Sequence, residues 1–212
     1  MRYAKTHKQE TRERLIQSTR AIAKRDGFGG TGVDALMSAI GLTGGAFYSH
    51  FGSKAELFAE LVEREMTHSA RMLAGEPAAA PDNLARCLRA YLSMEHVAHP
   101  ETGCVLPALG SEIGRTDARI RRSVERSLQK LEAAWREQLG EHGDAAWALI
   151  AQCVGALVIA RATDSERVRR QILSSSRRIV EATLPEHAGR AATASRKRRR
   201  RSRSPATSAV RR

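Results

Sequence analysis

One short segment of the chain, LTGGAFYSHFGSK at residues 42–54, concentrates hydrogen-bonding side chains around two phenylalanines. Phe47 and Phe51 are four residues apart, so both would face inward from a helix over about residues 44–50. The polar and charged members of the segment include Thr43, Tyr48, Ser49, His50 and Lys54. A short helix with such an outer face suits insertion into the major groove of DNA. We therefore expect this segment to contact nucleic acid.

The residues just before this segment predict another helix that would hold it in place. The apolar positions recur at three- and four-residue spacing and are Val33, Leu36, Met37 and Ile40. Thr31 is expected to cap the start of this helix. Gly41 is expected to end it, because glycine reaches the left-handed conformation without steric cost. With Thr43 placed to cap the following helix, the pattern is that of a helix-turn-helix.

Gly45 would lie inside the second of these helices. A glycine in a helix interior costs about 1 kcal/mol relative to alanine, so its presence needs a physical reason. Close approach of the backbone to a phosphate or a base edge would provide that reason.

Residues 41–58, GLTGGAFYSHFGSKAELF, resemble the recognition helix and the following helix start of the TetR family of bacterial transcriptional regulators. The resemblance is close over about residues 8–64 and holds only in outline beyond them. The residues that match the family pattern are Leu42, Thr43, Gly45, Tyr48, His50, Phe51 and Lys54. Gly44 departs from the pattern, because relatives often have a basic residue or a proline there. That departure removes one possible DNA contact.

The resemblance implies a DNA-binding site in the N-terminal domain and a double-stranded DNA operator as partner. In the family, residues that match Thr43, Tyr48 and Lys54 generally touch the phosphate backbone or nearby base edges. His50 is expected either to contact a phosphate or to support the turn through its own backbone. The full set of expected DNA-binding residues is Thr31, Thr43, Gly44, Gly45, Tyr48, His50 and Lys54.

Composition and periodicity predict an all-α protein, because aromatic residues are only 4% of the chain and no strand pattern stands out. We expect an N-terminal three-helix helix-turn-helix DNA-binding domain over residues 1–54 and a connecting helix over 54–74. A C-terminal helical domain for effector binding and dimerisation is expected over 75–187, entered through GEPAAAP at 75–81. The individual helices are expected near residues 8–26, 82–97, 104–114, 117–140, 144–163 and 165–184.

The formal net charge of +13 is uneven along the chain. Residues 1–54 carry nine Lys or Arg against four acids, residues 55–187 carry 17 against 19, and residues 188–212 carry ten against none. This asymmetry points to nucleic acid as a partner. The arginine-rich tail is expected to be disordered, either as a non-specific DNA-binding arm or as a solubilising extension. A non-specific architectural or RNA-binding protein acting through the tail is the alternative function.

Residues 145–162, AAWALIAQCVGALVIARA, are apolar nearly all round, so one core face would not cover them. The following helix keeps apolar and small residues on one side, namely Val168, Ile172, Ser175, Ser176, Ile179 and Thr183. We expect the helices near 144–163 and 165–184 to form a four-helix homodimer bundle, as relatives of TetR do. Gln152 interrupts the apolar run, which indicates a core helix rather than a membrane span. A cytoplasmic protein without membrane contact is therefore expected.

The resemblance also implies a pocket for a small-molecule effector among the helices of residues 82–140. Its expected lining, each member of which is alternatively plain core, is Tyr91, Met94, Cys104, Leu106, Leu109 and Trp135. Cys104 follows a glycine at a predicted helix start, where the positive helix end would lower the pKa of its thiol. A Gly-Cys at this place resembles a subgroup of TetR regulators in which such a cysteine senses electrophiles or oxidants. If Cys104 is such a sensor, it should react with an electrophile before Cys87 and Cys153; the alternative is a structural cysteine.

His96, His99 and Cys104 form an alternative, partial metal site. No fourth ligand is visible in the sequence, so neither a metal nor another cofactor is expected. The three cysteines include no CxxC pair, which favours reduced thiols.

An enzyme is not expected, because the sequence has no glycine-rich phosphate loop, G-x-S-x-G turn or H-E-x-x-H motif. The combined expectation is a TetR-type repressor that leaves a palindromic operator when a small molecule binds.

Overall fold

The structure of the protein, a computed structural model, describes residues 2–74 and 83–184. Its α-helices are α1 Arg2–Asp26, α2 Val33–Ser38, α3 Lys54–Ala74, α4 Asn83–Tyr91, α5 Met94–Ala98, α6 Val105–Gly114, α7 Ala118–Leu139, α8 Ala146–Arg161 and α9 Glu166–Thr183. Two 3-10 helices are η1 Gly44–Ser49 and η2 Gly140–Ala145. Helices are the only regular elements in the described ranges, which confirms the all-α fold class.

The connecting helix begins and ends where the sequence predicts, but three other elements differ. Helix α1 begins at Arg2 rather than near residue 8. The helix predicted over residues 82–97 is two helices, because Ser93 caps α5 by accepting a hydrogen bond from the His96 amide. The recognition helix is a 3-10 helix rather than an α-helix. The linker at 75–81 and the tail at 188–212 lie outside the described residues.

A first hydrophobic cluster holds the N-terminal helices together. Its buried members include Leu15 of α1, Leu36 and Met37 of α2, Phe47 of η1, Phe51 before α3, and Leu57 and Leu61 of α3. The α2–η1 turn closes at Gly41, whose φ of 78° is in the left-handed region that glycine tolerates. The same cluster includes Val105, Leu109 and Ile113 of α6 and Ile120 and Val124 of α7. The helix-turn-helix therefore packs directly on helices of the body.

A second hydrophobic cluster forms the body. It joins the end of α3 to α4, the second half of α7, α8 and α9 through residues such as Leu73, Leu88, Trp135, Leu157 and Val180. Leu106 of α6 is half-buried against both clusters. Helix α6 is therefore the element through which the two cores meet.

Residues Ala118–Arg161 form a helical run that is long and apolar enough to span a membrane by length and composition alone. The run is not one straight helix, because Gly140 has a φ of 57° and His142 is non-helical between α7 and α8. Helix α8 packs against α6, α7 and α9. Its buried side, which includes Leu149, Cys153 and Leu157, is part of the body core.

Candidate DNA-binding surface and effector core

The 3-10 geometry of η1 separates a buried side from an exposed side. Three residues complete each turn of such a helix, so Gly44 lies above Phe47 and Gly45 lies above Tyr48. The Phe47 side chain is fully buried, whereas Tyr48 is 68% exposed. The two rings pack edge to face with centroids 5.3 Å apart. The fold thus holds an aromatic side chain out in solvent and supports it from beneath.

The two positions of η1 that hold glycine differ in the space around them. A Cβ added at Gly44 would lie 1.7 Å from Oδ1 of Asp34 and 2.9 Å from its Cγ, so a side chain there requires Asp34 of α2 to move. A Cβ at Gly45 would meet nothing within 4 Å. Gly44 is therefore set by packing inside the domain. Gly45 leaves the backbone of η1 open to an external partner.

The two threonines flank α2 and η1 but do not cap them as predicted. The N-cap of α2 is Gly32 rather than Thr31, and the Thr31 hydroxyl instead donates to the carbonyl oxygen of Gly27 at 2.9 Å. Thr43 occupies the N-cap position of η1, yet its side chain makes no capping hydrogen bond. Because Thr43 is also exposed, its hydroxyl is available to a ligand.

Lys54, the first residue of α3, is half-buried against the loop between α1 and α2. Its Nζ donates to the carbonyl oxygen of Gly29 at 3.0 Å and lies 4.7 Å from the centroid of the Phe28 ring. Phe28 in turn stacks on Phe58 of α3 with centroids 4.4 Å apart. An ammonium group has three N–H donors, so one internal hydrogen bond leaves donors for a phosphate.

His50 ends η1 and is half-buried, and its Nδ1 is buried without a hydrogen-bond partner. Burial lowers the pKa of His50, and the nearby charges of Lys8 and Arg12 lower it further. The ring is therefore neutral at pH 7. A neutral imidazole still has one N–H donor for a phosphate oxygen.

Two arginines of α1 make contacts within the N-terminal domain. Arg12 donates to Glu60 of α3, and its guanidinium carbon lies 4.2 Å from the centroid of the Phe51 ring. Arg14 donates to the carbonyl oxygen of Ile40 at 3.0 Å. Both contacts hold the helix-turn-helix against α1 and α3.

The structure brings most of the predicted effector residues into one core. Tyr91, Cys104 and Trp135 are buried in the body cluster, and Met94 packs against it. Leu106 borders both clusters, whereas Leu109 belongs to the cluster beneath the helix-turn-helix. The Tyr91 hydroxyl and the Trp135 indole nitrogen are buried without hydrogen-bond partners. Burial also raises the pKa of Tyr91 well above its ordinary value.

His96 is an organising residue of this core that sequence reasoning did not identify as one. Its Nδ1 lies 2.8 Å from the carbonyl oxygen of Tyr91, and its Nε2 lies 3.0 Å from the amide nitrogen of Cys104. The carbonyl can only accept and the amide can only donate, so Nδ1 carries the hydrogen and Nε2 accepts. Burial lowers the pKa of His96 to about 4.

The alternative metal site is wrong, because both ring nitrogens of His96 are occupied by these hydrogen bonds. His99 is exposed and pairs with Glu95 and Glu101. Across the described ranges, no group of three or more His, Cys, Asp or Glu side chains is arranged to hold a metal ion.

Cys104 is the N-cap residue of α6, at the helix start that the sequence predicted. The predicted lowering of its pKa is wrong, because the side chain is fully buried and burial raises the pKa of the thiol. The nearby hydroxyls of Ser69 and Tyr91 and the charge of Lys24 oppose this effect without overcoming it. Cys87 is half-buried, so it is the more accessible thiol.

A buried ion pair connects α1 and α3 to this core. Nζ of Lys24 in α1 donates to Oε2 of Glu65 in α3 at 2.7 Å and to the carbonyl oxygen of Gly103 at 2.9 Å. Arg20 reaches the other oxygen of Glu65 at 3.3 Å. Burial lowers the pKa of Lys24, and the hydrogen bond to Glu65 opposes that effect. The sequence signal was an acid on the apolar face of α3, beside Leu61 and Val62.

Comparisons with known proteins agree with this architecture. The family model for bacterial regulatory proteins of the tetR family matches residues 15–61. A TetR-family transcriptional regulator from Agrobacterium tumefaciens superposes with a TM-score of 0.68 at 20% identity, covering 84% of this chain and 99% of that chain. SCO4454, a TetR-family regulator from Streptomyces coelicolor, gives 0.65 at 21% identity over 84% and 96% of the two chains. The reduced form of NemR from E. coli gives 0.61 at 20% identity over 82% and 97%. No curated protein matches by sequence.

A helix-turn-helix joined by a long helix to an all-helical body is the architecture that the chain shares with these structures. The match over residues 15–61 identifies the N-terminal helices as similar to the DNA-binding domain of the tetR family of bacterial regulatory proteins, and the solved structures share the fold of the longer chain.

Lowering the pH should reduce the free energy of unfolding through His96. Its folded pKa is about 4, and its unfolded value is about 6.5. Between pH 6.5 and 4, His96 binds a proton in the unfolded state but not in the folded state. The free energy of unfolding therefore falls as the pH drops toward 4. The loss from this group at pH 5 is about 2 kcal/mol. Urea unfolding at pH 7, 6 and 5 should show a smaller loss for His96→Gln, and equal losses would contradict the assignment.

Gly45→Ala should weaken DNA binding without weakening the fold. The added methyl group meets nothing within 4 Å in the protein, so stability should stay the same or rise by up to about 1 kcal/mol. If the backbone of η1 lies against DNA, operator affinity should fall by about tenfold or more, because the methyl group would stand in the way of that approach. Gly110→Ala in α6, which also has open space, is the matched control and should leave affinity unchanged. An unchanged affinity for Gly45→Ala would remove Gly45 from the interface.

Proposed function

We propose that the protein is a homodimeric repressor that binds a palindromic operator through η1 of each subunit and leaves it when an effector binds the body. The observation that carries the proposal is the exposed Tyr48 side chain, which shares one side of η1 with the open backbone of Gly45. Monomeric proteins bury most large aromatic side chains, and a surface group held this firmly suits a partner.

The groups around Tyr48 have the chemistry that operator DNA requires. Thr43 has a hydroxyl that no capping bond uses, and Lys54 keeps N–H donors beyond its bond to Gly29. Phosphate contacts from Lys54 and the Tyr48 hydroxyl would set the position of η1, and Thr43 would reach a base edge or a phosphate. His50 would contribute a neutral N–H donor at the end of the helix.

The dimer is proposed from two apolar rows on α8 and α9. The row on α8 is Trp147, Ala151, Val154 and Val158, and the row on α9 is Val168, Ile172, Ser175 and Ile179. Both rows have the same four-, three- and four-residue spacing, which places each on one helix face. Trp147 is 46% exposed and Ile179 is 56% exposed in the single chain. A second copy packed across both helices would bury the two rows in a four-helix bundle.

The effector site is proposed at the body core around Tyr91, Trp135 and Cys104. The unpartnered Tyr91 hydroxyl and Trp135 indole N–H are polar groups in an apolar setting, which is how ligand pockets fix the orientation of a small molecule. The peptide units of Gly103 and Cys104 bind Lys24 and His96, respectively. An effector that displaces this loop would therefore change the support of α1. That displacement would alter the spacing of the two recognition helices.

Operator selection tests the DNA-binding part of the proposal. Full-length protein should enrich a palindrome from random duplexes, with half-sites about 34–36 Å apart or a multiple of that distance. Tyr48→Phe, which removes only the hydroxyl, should weaken binding by about 1.5–3 kcal/mol per subunit if that group contacts a phosphate. A gel-shift titration at fixed salt measures the change. Sequence-independent binding by the wild type would instead favour the architectural or RNA-binding alternative.

The controls separate DNA contact from assembly. Tyr48→Phe should keep the dimer and the melting temperature, because the ring remains supported by Phe47. Ile179→Glu places a charge in the proposed α9 row and should yield a monomer in sedimentation experiments, with loss of the palindromic footprint. A dimeric Ile179→Glu protein would contradict the proposed interface.

The thiols should react in an order set by burial rather than by helix position. Burial raises the pKa of all three thiols, that of Cys153 to about 12, but Cys104 and Cys153 are also buried from reagents. Cys87 is more exposed, so limiting iodoacetamide should modify it first. Peptide mass spectrometry gives the order in the folded protein, with a denatured sample as control. Fastest modification at Cys104 would restore the sensing role that the sequence suggested.

A further inference from the structure

Helix α7 has a row of cations on the side opposite its buried face. The row, called the basic stripe below, consists of Arg115 in the turn before α7 and Arg119, Arg122, Arg126 and Lys130. Spacings of four, three, four and four residues keep the helical members on one side, and all five side chains are exposed. The buried face of α7 is Ile120, Val124, Leu131, Trp135 and Leu139.

The basic stripe lacks the acidic partners that other exposed arginines have. Arg64, Arg136 and Arg170 each pair with a glutamate four residues before them. Within the described ranges, no member of the stripe forms an ion pair, and consecutive members such as Arg122 and Arg126 place like charges one turn apart. Like charges at this spacing destabilise a helix, so the arrangement favours an anionic partner.

Two acids near the basic stripe accept hydrogen bonds from backbone amides, and a third lies on the flank of the stripe. Asp117 accepts hydrogen bonds from the amides of Arg119 and Ile120 at the start of α7. Glu112 of α6 accepts from the amides of Phe28 and Gly29. Glu125 is exposed on the flank of the stripe and forms no ion pair in the described part. The field over the stripe is therefore positive.

The start of the stripe lies beside the DNA-binding surface. Arg115 and Lys54 line the same open groove of about 530 Å³, together with Phe28 and Gly29. The two hydrogen bonds that Glu112 accepts, 3.1 Å and 2.7 Å long, hold this corner against the loop that leads into α2. Ile120 packs in the cluster beneath the helix-turn-helix, so the first turn of α7 is fixed there as well.

The other end of the stripe leads away from that surface. Leu131 and Trp135, on the buried face next to Lys130, belong to the body cluster. The distance along the helix from Arg119 to Lys130 is about 16 Å. The basic stripe therefore has exposed positive side chains both near η1 and far from it.

We propose that Arg115 and Arg119, at the α6–α7 corner, form a second DNA-contacting surface that binds backbone phosphates next to the half-site read by η1. Charge complementarity and continuity with Lys54 carry the assignment to DNA, since duplex DNA presents a dense row of phosphates to any cation beside the reading helix. The inference rests on the proposed operator binding and extends it to the body of the protein.

The test compares two charge-matched double variants of the full-length protein. Arg115→Gln with Arg119→Gln removes two charges at the near end, and Arg126→Gln with Lys130→Gln removes two at the far end. Fluorescence anisotropy over a salt series on the selected operator gives the slope of log affinity against log salt. The near-end variant should lower this slope by about 0.9 per phosphate contact, or up to about 3.6 for a dimer losing four contacts. The far-end variant should keep the wild-type slope.

Ethylation interference locates the contacts directly. Phosphates whose ethylation blocks the wild type but not the near-end variant should lie outside those affected by Tyr48→Phe. Circular dichroism and sedimentation should show that both double variants fold and dimerise, since all four side chains are exposed. A near-end variant with the wild-type slope, or equal slope changes in both variants, would overturn the second surface. A wild type that selects no operator would instead remove the proposed function itself.

Discussion

The contact of Lys24 with Glu65 and Gly103 is the interaction on which the arrangement of the protein depends. It joins α1, α3 and the loop before α6 at a single buried ammonium group. Removing one member of a buried ion pair strands the other charge and typically costs about 3–5 kcal/mol, although Arg20 would partly satisfy Glu65 here. A buried charge, which is costly to desolvate, therefore lies where α1, α3 and the loop before α6 must meet in one geometry.

That contact links the helix-turn-helix to the body of the protein through a continuous set of hydrogen bonds. Gly103 and Cys104 are adjacent, and their backbone groups bind Lys24 of α1 and His96 of α5. Arg161 of α8 donates to the carbonyl oxygen of His96 at 2.6 Å, which extends the network to the proposed dimer helices. Leu106 packs against both hydrophobic clusters just beyond this loop. A change in the body core can therefore reach α1 through hydrogen bonds and through packing, without crossing solvent.

Local patterns predicted much of the fold, because helix faces and glycine stops are local physics. The apolar spacing identified α2, and Phe47 and Phe51 are buried as their four-residue spacing implied. The connecting helix begins at Lys54 and ends at Ala74 as predicted, since apolar residues recur at helical spacing along it. The start of α5 was missed because Ser93, which caps it, interrupts no apolar pattern.

The candidate sites were less predictable, because they depend on contacts between distant residues. The Cys104 thiol was expected to have a lowered pKa from its position at a helix start. Burial by α3, α4 and α8, which no local pattern encodes, reverses the direction. Likewise, the glycine at 44 looked like a missing contact, whereas it makes room for Asp34 ten residues earlier. His96 drew attention as a metal ligand, and its real partners are two backbone groups.

If η1 reads DNA as proposed, its pair of glycines limits how much base sequence the protein can recognise. Strong reading of individual bases relies on long, forked side chains such as arginine, asparagine or glutamine, and η1 has none of these. With Gly44 fixed by packing and Gly45 bare, recognition must draw more on groove width, bendability and the distance between half-sites. Point changes within a half-site should then be tolerated better than a change in spacer length. A regulator of this kind would bind a set of promoters that have the same half-site spacing and DNA shape, even where their base sequences differ.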